Sequence, residues 1–314
     1  MTRGVVLTTQ DLATLDWPQR AKAANLTTIG THITPREVAA FIQTERGQTF
    51  LAECARLGIA VEHELHAMSD LLPRDLFGKN PDMFRMTESG ARTADFNCCV
   101  HSREAIEIIC GKAVEYGQFL KPTTGRHFYW MDDGLPMCRC PECRTYSDSD
   151  QALILENAIV RALRAEDPAA TLAHLAYDKT YAAPEQVKPE PGVFLEFAPI
   201  HRTMDQPIRV RDGKGLRGTY SNGELLDYLD ANLGVFGVEG AQVLEYWLDV
   251  SLISQWKRPA QRLPWRPEIV RSDLDTYRER GIRHVTSFAA WIDSGYVSQF
   301  GEPPLADYGA ALCE

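Results

Sequence analysis

Short apolar runs alternate with amphipathic stretches along the whole chain, and this alternation predicts an α/β protein. The runs are rich in β-branched and aromatic residues and carry few polar positions, which is typical of parallel strands buried on both faces. The eight predicted strands are Gly4–Thr9, Leu26–His32, Ile59–His66, His127–Asp133, Thr171–Tyr177, Val193–Pro199, Gln242–Asp249 and His284–Trp291.

The amphipathic stretches predict the helices Pro35–Leu57, Ser102–Leu120, Ser149–Ala165, Asn222–Leu233 and Arg266–Gly281. Eight strands with intervening helices over 314 residues predict a single (β/α)8 barrel of the TIM type, with elaborated βα loops, over residues 1–314. A doubly wound open sheet is the alternative, but no G-x-G-x-x-G follows the first strand to support a dinucleotide-binding fold.

Composition narrows the classes of function. The net charge of −10 argues against nucleic-acid binding, because phosphate contacts need clustered Lys and Arg. No apolar stretch is long enough for a membrane span, and the N-terminus lacks the apolar core of a secretory signal. We therefore expect a cytoplasmic protein without membrane contact, either a monomer or a homo-oligomer.

Polar and aromatic residues collect at the predicted carboxyl ends of the strands, where a barrel places its active site. Asp132 and Asp133 end the fourth strand directly before a Gly-containing turn, which favours acid/base chemistry. Pairing with Arg or Lys is the competing explanation for any single buried carboxylate. The further candidates for substrate contact or catalysis are His32, Glu64, His66, Tyr177, Glu196, His201, Glu245, Tyr246, Trp247 and Trp291.

This mixture of side chains favours a small carbohydrate as the ligand. The apolar C–H faces of a sugar stack on aromatic rings, and its hydroxyl groups hydrogen-bond with carboxylates and histidines. Core packing is the alternative role for the aromatic residues, Trp130 in particular. We expect no cofactor to be required for catalysis.

The joint progression of motifs is HELHAMSDLLP, NPDMFRM, CCVHSRE, DDG-x3-C-x-C-x2-C, LAYDKTYAAP and FAPIHR. From about Ile59 onward it resembles a bacterial (β/α)8-barrel family described as a domain of unknown function (DUF4838-like), related to glycoside hydrolases of the hexosaminidase and α-glucuronidase type. The resemblance implies a glycosidase with Asp133 as general acid. Asp132 would orient a substrate acetamido group acting as nucleophile, and Tyr246 and Trp247 would hold that group.

The resemblance leaves a second mechanism open, since many barrel glycosidases carry carboxylates on strands four and seven. Asp133 would then be the acid/base and Glu245 the nucleophile or base, and the distance between the two carboxyl groups would decide retention or inversion. A hexosaminidase would have Glu as its second acid, whereas this chain has Asp followed by Gly, which leaves the acetamido specificity open.

Two other classes of function compete with a glycosidase. One is a carbohydrate-binding barrel without turnover. The other is a metal-dependent hydrolase or isomerase that uses His32, His63, Glu64 and His66, although H-E-L-H is too tight for the helical H-E-x-x-H zinc motif.

Three cysteines, Cys138, Cys140 and Cys143, form C-x-C-x2-C directly after the paired aspartates. Thiolates at this spacing can bind one structural Zn²⁺, which needs four ligands. Cys98, Cys99 or His101 could supply the fourth, and we select Cys99. Free thiols or a redox-sensitive loop are the alternatives.

Overall fold

Eight parallel strands close into a barrel, and their order around the barrel follows the order of the sequence. The computed structural model describes residues 1–215 and 218–314. The strands are β1 (Arg3–Thr8), β2 (Thr28–His32), β3 (Ala60–His66), β4 (Arg126–Trp130), β5 (Thr171–Ala176), β6 (Val193–Phe197), β7 (Gln242–Glu245) and β8 (His284–Phe288). β8 pairs with β1, so the sheet is closed. The predicted (β/α)8 barrel is confirmed.

Helices surround the barrel and extend the loops at its carboxyl end. Those described are α1 (Thr9–Thr14), α2 (Trp17–Ala23), α3 (Pro35–Ile42), α4 (Glu45–Leu57), α5 (Met68–Leu71), α6 (Arg103–Leu120), α7 (Asp148–Glu166), α8 (Asn222–Phe236), α9 (Val250–Ile253), α10 (Pro267–Glu279), α11 (Ser294–Phe300) and α12 (Leu305–Cys313). None of these described helices combines the length and hydrophobicity needed to cross a lipid bilayer.

The predicted helix Pro35–Leu57 is wrong in one respect, because the segment forms two helices, α3 and α4. The Thr44 hydroxyl accepts a hydrogen bond from the Gly47 amide at 3.0 Å and starts the second helix. A Cβ atom on Gly47 would overlap the Phe41 carbonyl oxygen, so this tight turn between the helices requires glycine. Helices α1, α2, α5, α9, α11 and α12 were not predicted.

Side chains alternate between the barrel interior and the surrounding helices along each strand. On β7, Leu244 belongs to the apolar cluster inside the barrel, whereas Val243 packs in the layer between the barrel and the helices. This alternation continues past the end of the strand, where Tyr246 is inside and Trp247 outside. It decides which of the predicted site residues can meet a ligand.

Candidate active site

A cavity of about 720 Å³ opens at the carboxyl end of the barrel. Each of the eight strands, or the loop directly after it, contributes to its lining. Seven of the predicted site residues line this cavity: His32, His66, Asp132, Asp133, Tyr177, Tyr246 and Trp291.

Asp133 is the carboxylate most available to a ligand, since 64% of its side chain is exposed. The Tyr177 hydroxyl donates a hydrogen bond of 2.8 Å to Asp133 Oδ1. The same oxygen lies 3.9 Å from His66 Nε2. His66 Nδ1 lies 2.7 Å from the Met131 carbonyl oxygen, which can only accept, so this ring nitrogen carries a proton. Tyr177 is thus the hydrogen-bond donor that orients Asp133 within the cavity.

Tyr177 can keep this role over the whole neutral range. Burial, followed by the negative charge of Asp133, raises the pKa of Tyr177 well above its usual value. The hydroxyl therefore stays protonated and remains a donor to Asp133.

Asp132 also lines the cavity, but its Oδ2 atom is already engaged. The Arg74 guanidinium donates a hydrogen bond to it at 2.9 Å, and the backbone amide of Asn97 donates a second at 2.6 Å. The Asn97 side-chain oxygen in turn accepts from the Asp132 amide at 2.9 Å. These bonds fasten the loop after β4 to the loop before α6, and so fix the position of Asp133.

Aromatic rings form the floor of the cavity. The His32 and His66 rings lie with their centroids 5.7 and 5.2 Å from that of Trp130, and Tyr246 stacks on Phe288 at 5.3 Å. Burial lowers the pKa of His32 to about 3, so its ring is neutral at physiological pH. A floor of flat aromatic rings can receive the C–H face of a sugar.

Trp291 stands at the rim in an unusual backbone conformation, with φ of +69°. Its amide donates to Asp11 Oδ1 at 3.0 Å, and the Arg258 guanidinium lies 4.3 Å from the ring centroid. Arg258 is itself paired with Asp293 at 2.8 Å. Strained residues held by several contacts cluster at functional sites, which supports a ligand-binding role for Trp291.

Two further carboxylates, Asp178 and Asp249, line the cavity and were absent from the predicted set. Asp178 has a positive φ of +47° and lies 3.1 Å from His201 Nε2. Gly134, next to Asp133, is also left-handed, and a Cβ atom there would lie 2.7 Å from Asp178 Oδ2. Both aspartates closely follow a strand, which is the signal that could have identified them.

Five predicted site residues do not line the cavity: Glu64, Glu196, His201, Glu245 and Trp247. His201 lies behind Asp178, while Glu64 and Glu196 are buried inside the barrel. Glu245 and Trp247 point outward to the helix layer, because residues of odd number on β7 and just after it face away from the barrel axis. The prediction that these two face the substrate is wrong.

Glu245 belongs instead to a buried ion cluster between the barrel and α10. Arg202 Nη1 lies 2.8 Å from Glu245 and also pairs with Asp273, and Tyr277 donates to Glu245. Trp247 Nε1 donates to Asp273 at 3.0 Å. The environment of Glu245 is therefore structural, and the residue cannot reach a ligand in the cavity.

Carboxylates also lie inside the barrel, out of contact with solvent. Glu196 accepts hydrogen bonds from Trp130 Nε1 at 2.8 Å and from Gln242 Nε2 at 2.9 Å. Burial raises the pKa of Glu196 to about 8, and that of Glu64 well above its usual value. Glu196 is thus held largely in the neutral form below about pH 8, and burial favours the neutral form of Glu64 as well.

We expect Glu196→Gln to become more stable relative to wild type as the pH rises from about 4.5 to 8. The raised pKa means that folded wild type holds a proton that the unfolded chain has lost, so wild-type stability falls across this window, by up to about 1.4 kcal/mol per pH unit. The amide cannot ionise, and Gln242 Oε1, which has no hydrogen bond, can accept from its NH2 group. Urea unfolding at pH 5 and pH 8 measures the difference. The exposed substitution Glu107→Gln should shift stability equally at both pH values, and the same result for Glu196→Gln would contradict the prediction.

The four predicted zinc ligands come together. The Sγ atoms of Cys99, Cys138, Cys140 and Cys143 all lie within 4.8 Å of one another, and the four side chains are buried. Among the described residues, this is the one group of three or more His, Cys, Asp and Glu side chains close enough to hold a metal ion. The alternative ligand set at His32, His63, Glu64 and His66 is not brought together, because His63 points out of the barrel to the Leu120 carbonyl.

Comparison with known proteins supports the same fold. The model of a family described as "Domain of unknown function (DUF4838)" matches residues 22–220, so the match begins upstream of Ile59 and ends before α8. No protein of curated function matches the sequence.

Solved structures of glycoside hydrolases share the barrel at low sequence identity. A β-N-acetylhexosaminidase from Bacteroides fragilis is 13% identical with a TM-score of 0.56, over 99% of this chain and 65% of that one. A broad-specificity GH5-4 endoglucanase from an uncultured bacterium is 10% identical with a TM-score of 0.56, over 96% and 85%. A β-galactosidase from Marinomonas ef1 is 13% identical with a TM-score of 0.53, over 100% and 59%. The chain spans less than two thirds of the first and third of these structures, and the likeness establishes the fold.

Proposed function

The chain belongs to the DUF4838 family, and from this family, the barrel shared with glycoside hydrolases and the geometry of the cavity we propose that it is a glycosidase acting on a small oligosaccharide or glycoside. One observation carries the proposal. The Asp133 carboxylate, oriented by the Tyr177 hydroxyl, faces a cavity with an aromatic floor at the carboxyl end of the barrel.

In the proposed mechanism, Asp133 is the general acid. A sugar bound over the aromatic floor would place its glycosidic oxygen near Asp133, which would donate a proton to the departing group. Tyr177 would keep the carboxyl group in one orientation and stabilise its anion once the proton has left.

The nucleophile cannot be Glu245, which lies outside the cavity. We therefore propose the substrate-assisted route, in which the acetamido oxygen of the substrate attacks the anomeric carbon and Asp132 orients the acetamido group. Asp132 is adjacent to Asp133, and Arg74 and Asn97 hold it in one position. N-acetylhexosaminides are accordingly the proposed substrate class.

A panel of chromogenic aryl glycosides tests the proposal, with N-acetylhexosaminides, hexosides and glucuronides assayed side by side. Turnover of N-acetylhexosaminides is the expected result. Turnover confined to hexosides would contradict acetamido assistance and would favour a second carboxylate as nucleophile or base. Asp178 and Asp249 line the cavity and are the candidates for that role. Sugar binding in calorimetry without turnover of any glycoside would overturn the proposal in favour of a carbohydrate-binding barrel.

We expect Tyr177→Phe to lower kcat by about 10- to 100-fold, since a hydrogen bond to a charged group contributes about 1.5–3 kcal/mol. KM should change little, because the lost hydrogen bond serves Asp133 rather than the sugar. Initial rates on the best aryl glycoside give both constants. Tyr116→Phe, on α6 and outside the cavity, is the matched control and should behave as wild type. An unchanged kcat in Tyr177→Phe would contradict the assigned role.

A further inference from the structure

The four clustered cysteines come from two loops that meet beside the cavity. Cys99 precedes α6, whereas Cys138, Cys140 and Cys143 follow β4. None is more than 3% exposed, and all four are free thiols rather than disulfides. Four buried sulfurs that converge from separate segments form a closed site of the structural kind.

The distances between the sulfurs fit a tetrahedral metal ion. Cys99 Sγ lies 3.8 Å from the Sγ atoms of both Cys140 and Cys143. A Zn–S bond of about 2.3 Å gives a tetrahedron whose S···S edge is about 3.8 Å, whereas a disulfide would need about 2.05 Å. We propose that Cys99, Cys138, Cys140 and Cys143 bind one structural Zn²⁺.

The surroundings of the sulfurs suit thiolates. The Met86 amide donates to Cys138 Sγ at 3.3 Å, and the Cys143 amide donates to Cys140 Sγ at 3.4 Å. Arg92 Nη1 lies 3.6 Å from Cys138 Sγ. A Zn²⁺ ion with four thiolates carries a net charge of −2, which N–H donors and a nearby guanidinium stabilise.

Neighbouring groups are arranged around this set rather than within it. His101 Nδ1 lies 3.3 Å from Cys143 Sγ, so it is a hydrogen-bonding neighbour of a sulfur that already has three partner thiols. Cys98 is buried next to Cys99 but is not one of the four converging sulfurs. Cys98, a buried cysteine outside the proposed ligand set, therefore provides a matched control for substitutions of the four cysteines.

The ion would fix the loop that carries the candidate acid. Asn97, two residues before Cys99, is bonded to both the amide and the carboxylate of Asp132, and its side chain also donates to the Leu135 and Pro136 carbonyl oxygens. Zinc bound by the cysteines would join the loop before α6 to the loop after β4 at a second point, in addition to the contact between Asn97 and Asp132. Its role is to position Asp132 and Asp133 and to stabilise the fold, without contact with the substrate.

Metal analysis of the protein as purified tests the proposal without any substrate. We expect about one zinc per chain by inductively coupled plasma mass spectrometry, and four sulfurs at about 2.3 Å in zinc K-edge X-ray absorption. Less than about one tenth of an equivalent after expression with added Zn²⁺, or iron as the bound metal, would overturn the assignment.

Paired variants locate the ion. Cys138→Ser/Cys140→Ser should lose the zinc and melt at lower temperature, whereas Cys98→Ser should keep a full equivalent. Retention of zinc by the double variant, or its loss in Cys98→Ser alone, would contradict the assigned ligands. If the double variant does not fold, the X-ray absorption spectrum of wild type still tests for four sulfur ligands, and the zinc content of Cys98→Ser still tests whether Cys98 is one of them. Zinc content is independent of turnover, so failure of the glycosidase proposal would leave this result unaffected.

Discussion

Asp133→Asn is expected to lower kcat/KM on the preferred glycoside by about 10²–10⁴-fold, the range by which a positioned general acid accelerates a reaction. The amide keeps the shape of the side chain and can still accept from the Tyr177 hydroxyl, but its N–H protons are not acidic enough to be transferred to a leaving group. Folding should be unaffected, because 64% of the Asp133 side chain is exposed. Steady-state kinetics and thermal melting measure the two effects.

Leaving-group dependence identifies the role of Asp133 more sharply than the size of the loss. A dinitrophenyl glycoside departs without protonation, so the deficit of Asp133→Asn should shrink on it and stay large on an alkyl glycoside. Equal losses on both substrates would show that Asp133 does not act as general acid. Asp307→Asn, an exposed substitution on α12 with the same change of charge, should leave both rates unchanged.

The barrel was predictable from the sequence because parallel strands buried on both faces require short, nearly continuous apolar runs. Runs such as Val5–Leu7 in β1 are apolar on both faces, and the eight runs found in this way correspond to the eight strands. The ends of the strands were less predictable. The predicted run Gln242–Asp249 leaves the sheet after Glu245, because the following residues turn to build the cavity wall.

Side-chain alternation explains which predicted site residues fail to meet a ligand. Glu245 is the last residue of β7 and Tyr246 directly follows it with the same alternation, so they cannot both face the barrel axis, and Tyr246 is the one that does. Glu64 and Glu196 point inward, but they lie too deep to reach the cavity. The alternation of side chains along a strand can be predicted from the sequence. How deep a side chain lies below the cavity depends on the tilt and register of the strands in the closed barrel.

Contacts between distant loops could not be predicted from one sequence. Arg74 and Asn97 hold Asp132 from a loop that is far from it in the chain. The choice of Cys99 over Cys98 and His101 as the fourth metal ligand likewise depends on how that loop approaches β4. The spacing of the motifs identified the chemistry, and the folded chain determines which partners meet.

Arg202→Met is expected to lower the free energy of unfolding by about 3–5 kcal/mol, which is the cost of leaving buried charges without their partner. Arg202 is 2% exposed and pairs with both Glu245 and Asp273. Burial already raises the pKa of Glu245 and the charge of Arg202 lowers it, so without the guanidinium that pKa should rise further and the loss of stability should be larger at pH 8 than at pH 5. Urea unfolding at the two pH values measures it. Arg271→Met, which removes an exposed pair with Glu314, should have little effect.

Glu245→Gln separates this structural role from a catalytic one. The amide keeps the size of the side chain but weakens the bond to Arg202, so stability should fall while kcat on the preferred glycoside stays at the wild-type value. A nucleophile or base would behave in the opposite way, with kcat lost and the melting temperature retained. A loss of kcat in Glu245→Gln at a temperature where the variant is fully folded would therefore return Glu245 to the mechanism, and would require the β7 loop to rearrange when the substrate binds.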